Sequence, residues 1–233
     1  MLHTVLAFPV LYPYNGDIMQ RQATLTFIGS LTKWSVPLAG LLVFAGWLLV
    51  TPPGLLGKAD AVGYAVCHRI DLRSFHIGER QLPLCARCSG TFTGVVVGLV
   101  FQILIGRRRT GMPPWKVIIP LALLLVAFAV DGSNSYLYLF KETYPGALTQ
   151  IPNQYIPQNW LRLLTGSGMG LAMAAAIYPV FNQTVWRTID SRPALSGWRH
   201  LGFLLGIMLL VDLGILTESP IILYPVALIS TFG

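Results

Sequence analysis

Five stretches of this chain run for close to the width of a bilayer core with almost no charge, and that excludes most folds before any motif is considered. A helix rising about 1.5 Å per residue needs roughly 20 apolar residues to cross about 30 Å of hydrocarbon. The runs are Trp34–Val50, Leu84–Ile105, Trp115–Leu139, Asn159–Phe181 and Leu201–Leu216. Thr51-Pro52-Pro53-Gly54 closes the first with residues that cannot continue a helix cheaply, and Gly106 with Arg107, Arg108 and Arg109 closes the second. With 54% hydrophobic and 11% charged side chains, the 233 residues are too apolar for a soluble domain. A last apolar run, Ile221–Phe232, is too short to cross and predicts a re-entrant segment, an interfacial segment or a half-helix packed on the bundle.

The fold class is therefore an all-α integral membrane protein, a bundle of five transmembrane helices plus a C-terminal half-span, in one membrane domain over residues 1–233. Residues 1–30 read as an N-terminal arm at the interface. Met1–Pro13 lacks a basic start and contains Pro9 and Pro13, which argues against a signal peptide, while Tyr12, Tyr14 and Arg21 suit the headgroup level. Tryptophans 34, 115, 160, 186 and 198 sit near span ends as interface anchors.

The formal net charge of +7 does not mark a nucleic-acid partner, because the basic residues sit in short connections rather than in a stripe with interleaved aromatics. Arg107, Arg108, Arg109 and Lys116 lie in one connection and Arg187, Arg192 and Arg199 in another, two spans away and so on the same side. The positive-inside rule makes that side the cytoplasm. The N-terminus is then cytoplasmic, and the extramembrane segment 52–83 lies on the outer face. That segment exceeds the usual 12–15-residue ceiling for structureless connections, so a folded, functional loop is expected.

All 3 cysteines of the chain fall between this loop and the start of the second span: Cys67, beside His68, then Cys85 and Cys88 around Ala86-Arg87. Cys85 and Cys88, three apart at a helix start after Pro83, put their sulfurs on one side. The positive end of the helix dipole and Arg87 favour thiolate there. Three thiolates and one imidazole are the donor set of a closed tetrahedral zinc site. Cys67, Cys85, Cys88 and His68 are the predicted ligands. His76 is the alternative fourth, because adjacent side chains of an extended chain point opposite ways. An iron–sulfur cluster, a passive disulfide staple and quinone-linked thiol chemistry at the C-x-x-C pair are the competing readings, the last weakened by an odd cysteine count.

Within the spans, Gly90, Gly94 and Gly98 form a small-residue seam for a closely approaching helix. Arg162 shares a helix face with Asn159, Gly166 and Gly170 and therefore faces protein. A membrane arginine costs at least a few kcal/mol unless paired, roughly 2.5–3.5 on insertion scales, and Asp131, Asp212 and Glu218 are the available acids. Counted along the helices, Asp131, Asp212, Arg162 and the cysteines reach one membrane face, which predicts a pocket there, with an Asp131–Arg162 pair as the purely structural alternative. Gly132, Ser133 and Asn134 permit a break in the third span.

The chain resembles a domain-of-unknown-function family of small prokaryotic polytopic membrane proteins. The resemblance rests on Cys67-His68, Arg73-Ser74-Phe75, Gly78, the run Gln81 to Gly90 with its Cys85-Ala86-Arg87-Cys88, and Gly94. It continues in Asp131-Gly132 and in Asn159 to Gly166 with Gly170, covering roughly Tyr64 to Ala176. It implies that His68, Arg73, Asp131, Asn159 and Arg162 form one functional set with the cysteines in a prokaryotic plasma membrane, and it implies no particular activity. The chain departs from the pattern where Asn134-Ser135 replaces a usual glutamine, and in its longer, proline-richer loop Tyr144–Gln158.

The leading expectation is a zinc centre that braces or activates a polar pocket, in which Arg162 offers charge to an anionic headgroup or substrate. Asp131, Asn159, Arg162 and Arg73 are the candidate catalytic residues, with Asp131 orienting Arg162 or moving a proton. Four protein ligands make such a metal structural; an enzyme needs an open position. The alternatives are a thiol-disulfide oxidoreductase using Cys85, Cys88 and a quinone, and a non-catalytic subunit of a larger membrane complex. Membrane lipids are the expected surroundings under all three readings.

Overall fold

The structure is a computed structural model that describes residues 15–146, 148 and 150–233, with side chains from residue 33 onward. The interfacial arm expected over residues 1–30 lies outside the described residues as far as residue 14, and from Asn15 the backbone is already helical. Five helices, α1 and α3 to α6 below, are long and apolar enough to cross a membrane.

The chain divides after Thr51 into two units. The first holds α1 (Asn15–Val50), whose apolar crossing window is Lys33–Val50. Most of its large side chains between Trp34 and Val50 are exposed, Trp47 being half-buried, as suits a lipid-facing helix. It ends where Thr51 bonds back to the Trp47 carbonyl through Oγ1 at 2.6 Å, ahead of two prolines.

The second unit carries α2 (Leu55–Val66), a 3-10 turn (Asp71–Arg73), a small hairpin of β1 (His76–Ile77) and β2 (Arg80–Gln81), and α3 (Ala86–Gly106). Then follow β3 (Arg109–Gly111), α4 (Trp115–Thr143), α5 (Asn159–Val185), β4 (Asp190–Pro193), α6 (Trp198–Leu216) and α7 (Pro220–Phe232). The predicted spans are all present, within a few residues at each end. The C-terminal run is a half-helix packed on the bundle, its Leu223, Val226 and Ala227 buried with Phe75 and Leu82 of the loop, Ala86, Leu163 and Ile215.

Helix α5 is the most buried of the spans, because its neighbour can come close. A Cβ placed at Gly90 or Gly94 would strike the carbonyls of Leu163 or Ser167 on α5, and one at Gly166 or Gly170 would strike those of Arg87 or Thr91 on α3. The expected seam thus has a counterpart on the facing helix. Gln102 crosses the same interface, donating to the Ala174 carbonyl at 3.0 Å.

Helix α4 runs unbroken past Gly132, contrary to the break the sequence permits there. The physical reason lies in Asn134 and Ser135. Their side chains bond to other segments, as described below, and so do not compete for α4's own backbone. At the opposite end β3 and β4 pair in parallel, Arg109 opposite Asp190 and Gly111 opposite Pro193. The two arginine-bearing connections therefore share one side, as their separation by two spans predicts.

Candidate functional site

The loop before α3 is a folded element built to deliver Cys67 to Cys85. Gly63, on the last turn of α2, touches the Pro83 backbone so closely that a Cβ would collide with the Pro83 carbonyl. Cys67 caps α2 in an extended conformation (φ −140°, ψ 144°), its N–H bonded to the Gly63 carbonyl at 2.9 Å. Arg69 then adopts a left-handed φ of 48°, which turns the chain back. Asp60 on α2 clasps that return, pairing with Arg69 at 2.8 Å and Arg80 at 2.5 Å, and Gln81 ties the hairpin to the Arg69 carbonyl at 2.9 Å. Phe75, Leu82 and Leu84 are buried, so the loop is anchored by apolar area as well as by hydrogen bonds.

The outcome is a cluster of three sulfurs. The Sγ atoms of Cys67, Cys85 and Cys88 all lie within 4.8 Å of one another, all three thiols being free. Tetrahedral ligation at about 2.3 Å places sulfurs about 3.8 Å apart, so the three sulfurs stand near the spacing an ion requires. Cys67 Sγ accepts the backbone N–H groups of Cys85, at 3.3 Å, and Arg69, at 3.5 Å. Hydrogen bonds from the Cys85 and Cys88 thiols, then these backbone donors, hold Cys67 far below the ordinary thiol range, while donating to Cys67 pushes Cys85 up. The sequence placed the favoured thiolate on the C-x-x-C turn; in the structure Cys67 is the sulfur that receives the backbone donors, and Arg87 is engaged with Asp131.

Among the described residues, no imidazole lies in this group. His68 is exposed, consistent with an extended Cys67 sending its neighbour the other way. His76 hydrogen-bonds Asp71 at 2.9 Å on the rim of the loop.

Beside the sulfurs lies the polar cluster that the sequence expected, wired differently. Asp131, 1% exposed, pairs with Arg87 rather than with Arg162. Its Oδ1 accepts the Tyr155 hydroxyl at 2.8 Å, and its Oδ2 accepts Thr165 Oγ1 at 3.3 Å. Burial and then the Asp131 contact push Tyr155 up to about 12, so it remains a donor at any ordinary pH. Arg87 also donates to Ser135 Oγ at 3.1 Å, and Arg73 donates to the Ser135 carbonyl at 3.4 Å. Burial lowers Arg73 from its ordinary value, partly offset by Glu142. Arg162 donates to Asn159 Oδ1 at 2.8 Å, and Asn159 gives its amide to the carbonyls of Leu72, at 3.3 Å, and Ser74, at 3.4 Å. Arg73, Asp131, Asn159 and Arg162 are thus brought together with the end of α3 that bears Cys85 and Cys88. Asp212 is also buried, but bonds Ser167 of α5 at 2.7 Å and stands apart from this set.

Arg87, Ser135, Tyr155 and Thr165 are members that the sequence reading missed as site residues. Thr165 follows Arg162 by three and so shares its face, a signal open to periodicity. Tyr155 had none, because it comes from the proline-rich loop. Asn134 donates to the Tyr155 carbonyl at 3.0 Å and accepts the Gln154 N–H at 2.9 Å, so α4 fastens the proline-rich loop over Asp131.

A family model described as "Predicted membrane protein (DUF2085)" matches residues 67–176, a segment that opens on Cys67 and contains every residue of both clusters. The uncharacterized protein MJ1492 of Methanocaldococcus jannaschii is 30% identical over 129 residues, covering 54% of this chain and 70% of that protein. An uncharacterized protein of Methanothermobacter thermautotrophicus is 28% identical over 114 residues, covering 48% of this chain and 86% of the relative. No solved structure matches. On these matches, the chain belongs to the DUF2085 family of membrane proteins.

Proposed function

We propose that this protein is a multi-pass membrane protein with a zinc centre at one face, ligated by Cys67, Cys85, Cys88 and His68, that braces a binding pocket lined by Arg73, Asp131, Asn159 and Arg162. The observation that carries this reading is the approach of three sulfurs to within 4.8 Å from two separate segments, with Cys67 already accepting backbone N–H groups as a ligating thiolate does. His68, exposed and with no hydrogen bond among the described residues, is the proposed fourth ligand of a structural Cys3His site, and a turn of the Cys67–His68 backbone on metal binding would bring it round to the sulfurs. The metal's work is mechanical. It locks the loop carrying Arg73 against the turn of α3 that carries Arg87, so that both guanidiniums are preorganised. The positive-inside rule, applied to the arginine-bearing connections of β3 and β4, supports a cytoplasmic location for the opposite face and hence an outward-facing pocket in a prokaryotic plasma membrane.

X-ray absorption at the zinc edge of the purified protein tests the ligand set. Three sulfurs near 2.3 Å and one nitrogen are expected, with the nitrogen lost in His68→Ala. A coordination shell without sulfur, or a zinc-free protein that resists loading, sinks the proposal. Nitrogen retained in His68→Ala reassigns the fourth position.

A further inference from the structure

Arg162 is a buried charge without a counter-ion. It is 6% exposed, its Nε has no hydrogen-bond partner, and it forms no ion pair among the described residues. Its side chain donates only to the neutral amide of Asn159. Two further guanidiniums share the neighbourhood. Arg73 and Arg87 meet on Ser135, one at its carbonyl and the other at its hydroxyl, and Asn159 holds the carbonyls on either side of Arg73. The three arginines act on one another electrostatically. Against them stands Asp131, whose oxygens are already taken by Arg87, Thr165 and Tyr155. Glu142, exposed at the end of α4, forms no ion pair among the described residues. Three positive side chains around one committed carboxylate, with Cys85 as a further, weaker attraction on Arg73 and Arg162, leave positive charge that an added anion would offset, and Arg87 Nε is a second buried donor without an acceptor.

We infer that Arg73, Arg87 and Arg162, with Asn159 positioning Arg162 and the loop of Arg73, form a site for a tetrahedral phosphate-class oxyanion, supplied either by the headgroup of a membrane lipid or by free inorganic phosphate. The inference deepens the pocket half of the proposed function and stands whether or not the sulfurs carry a metal. A carboxylate offers two oxygens on one edge, whereas guanidiniums arriving from the loop, from α3 and from α5 require acceptors on several sides. Helix α5 starts at Asn159 without a side-chain cap, which adds free N–H groups and the positive end of a dipole to the same place. Trp160, 47% exposed in this first turn, puts the site at the interface where lipid phosphates lie.

The test uses the full-length purified protein in two arms. In detergent, inorganic phosphate is titrated while the melting temperature is followed; in nanodiscs, phosphatidylglycerol is compared with a phosphate-free glycolipid. A rise in melting temperature is expected in at least one arm, and the arm identifies the source. Arg162→Gln should abolish the rise, and Arg73→Gln should raise the half-saturating concentration by roughly tenfold or more. Without phosphate, Arg162→Gln should melt no lower than the native protein, since an uncompensated charge has been removed. Zinc measured on the same samples should stay at the native level in both variants, which separates this site from the metal centre. Should Arg162→Gln fail to fold, Arg73→Gln and phosphorus NMR line broadening on the native protein carry the same decision. No response to either source, or a response that both variants retain in full, overturns the inference.

Discussion

At the end of the bundle where α3 and α5 begin, charge is drawn inside: Asp131 and Arg162 are buried, and Arg87 reaches in to meet Asp131. At the end where they finish, charge stays out. Arg107 and Arg108 are exposed, the Asp190–Arg192 pair and the wider Arg109–Asp190 pair, at 3.8 Å, stay partly exposed, and the buried bracing is neutral, with Tyr178 donating to the Gly106 carbonyl at 2.8 Å and Asn182 to that of Arg109 at 2.8 Å. Both ends must tie the same helices together. The second does so with hydroxyls, amides, a two-strand pairing and ion pairs that are not buried. Burying ions is costlier than burying apolar groups or amides of the same size, so the first end carries more than bracing requires. Charge at the far end lies where an orientation signal is expected, and charge at the near end lies at the proposed ligand site.

The comparison breaks most visibly at the sulfurs. Cys67→Ser should take bound metal from about one per chain to none and expose residues 55–84 to protease, with no counterpart at the far end; unchanged metal content would refute the cluster as a ligand set. Next in size is Asp131→Ala, which leaves Arg87 uncompensated. It should cost about 3 kcal/mol, the lower end for a broken buried pair because Arg87 keeps 21% of its side chain exposed. Asp190→Ala, the matching cut at the far end, should leave the detergent melting temperature unchanged.

The seam gives a third contrast. Gly170→Ala pushes a Cβ into the Thr91 backbone and should cost about 1–3 kcal/mol, while Gly206→Ala, where nothing lies within 4 Å, should gain a few tenths to about 1 kcal/mol. Smallest is Tyr155→Phe, about 1 kcal/mol near neutrality. The Tyr155 value is raised, so its contribution is complete below the usual phenol value of about 10 and fades as pH rises through about 12. Alkaline melting curves of the native protein should show that loss, and those of Tyr155→Phe should not.

Much of this architecture was legible in the sequence, because lipid imposes a length and an apolar composition that a run such as Trp115–Leu139 cannot disguise. The Gly90-Gly94-Gly98 seam was legible for a similar reason, since spacing by four fixes a face whatever lies opposite. Pairing was not. Arg87 and Arg162 both reach the level of Asp131, and choosing between them depends on how α3 and α5 rotate about their axes, which spacing within one helix does not encode. The α4 break failed because Gly132 alone costs a helix only about 1 kcal/mol, and the residues able to compete with its backbone bond a distant loop instead. Helix α2 was hidden inside a segment read only as a folded loop, its capping partner Gly63 being explicable only through Pro83.

The central claim is that the near end is a metal-braced site, and elemental analysis of the purified protein with a thiol count after denaturation tests it most directly. The account predicts about one zinc per chain and three titratable thiols once the metal is released. A metal-free protein with one titratable thiol, its other two sulfurs joined as a disulfide, would contradict it.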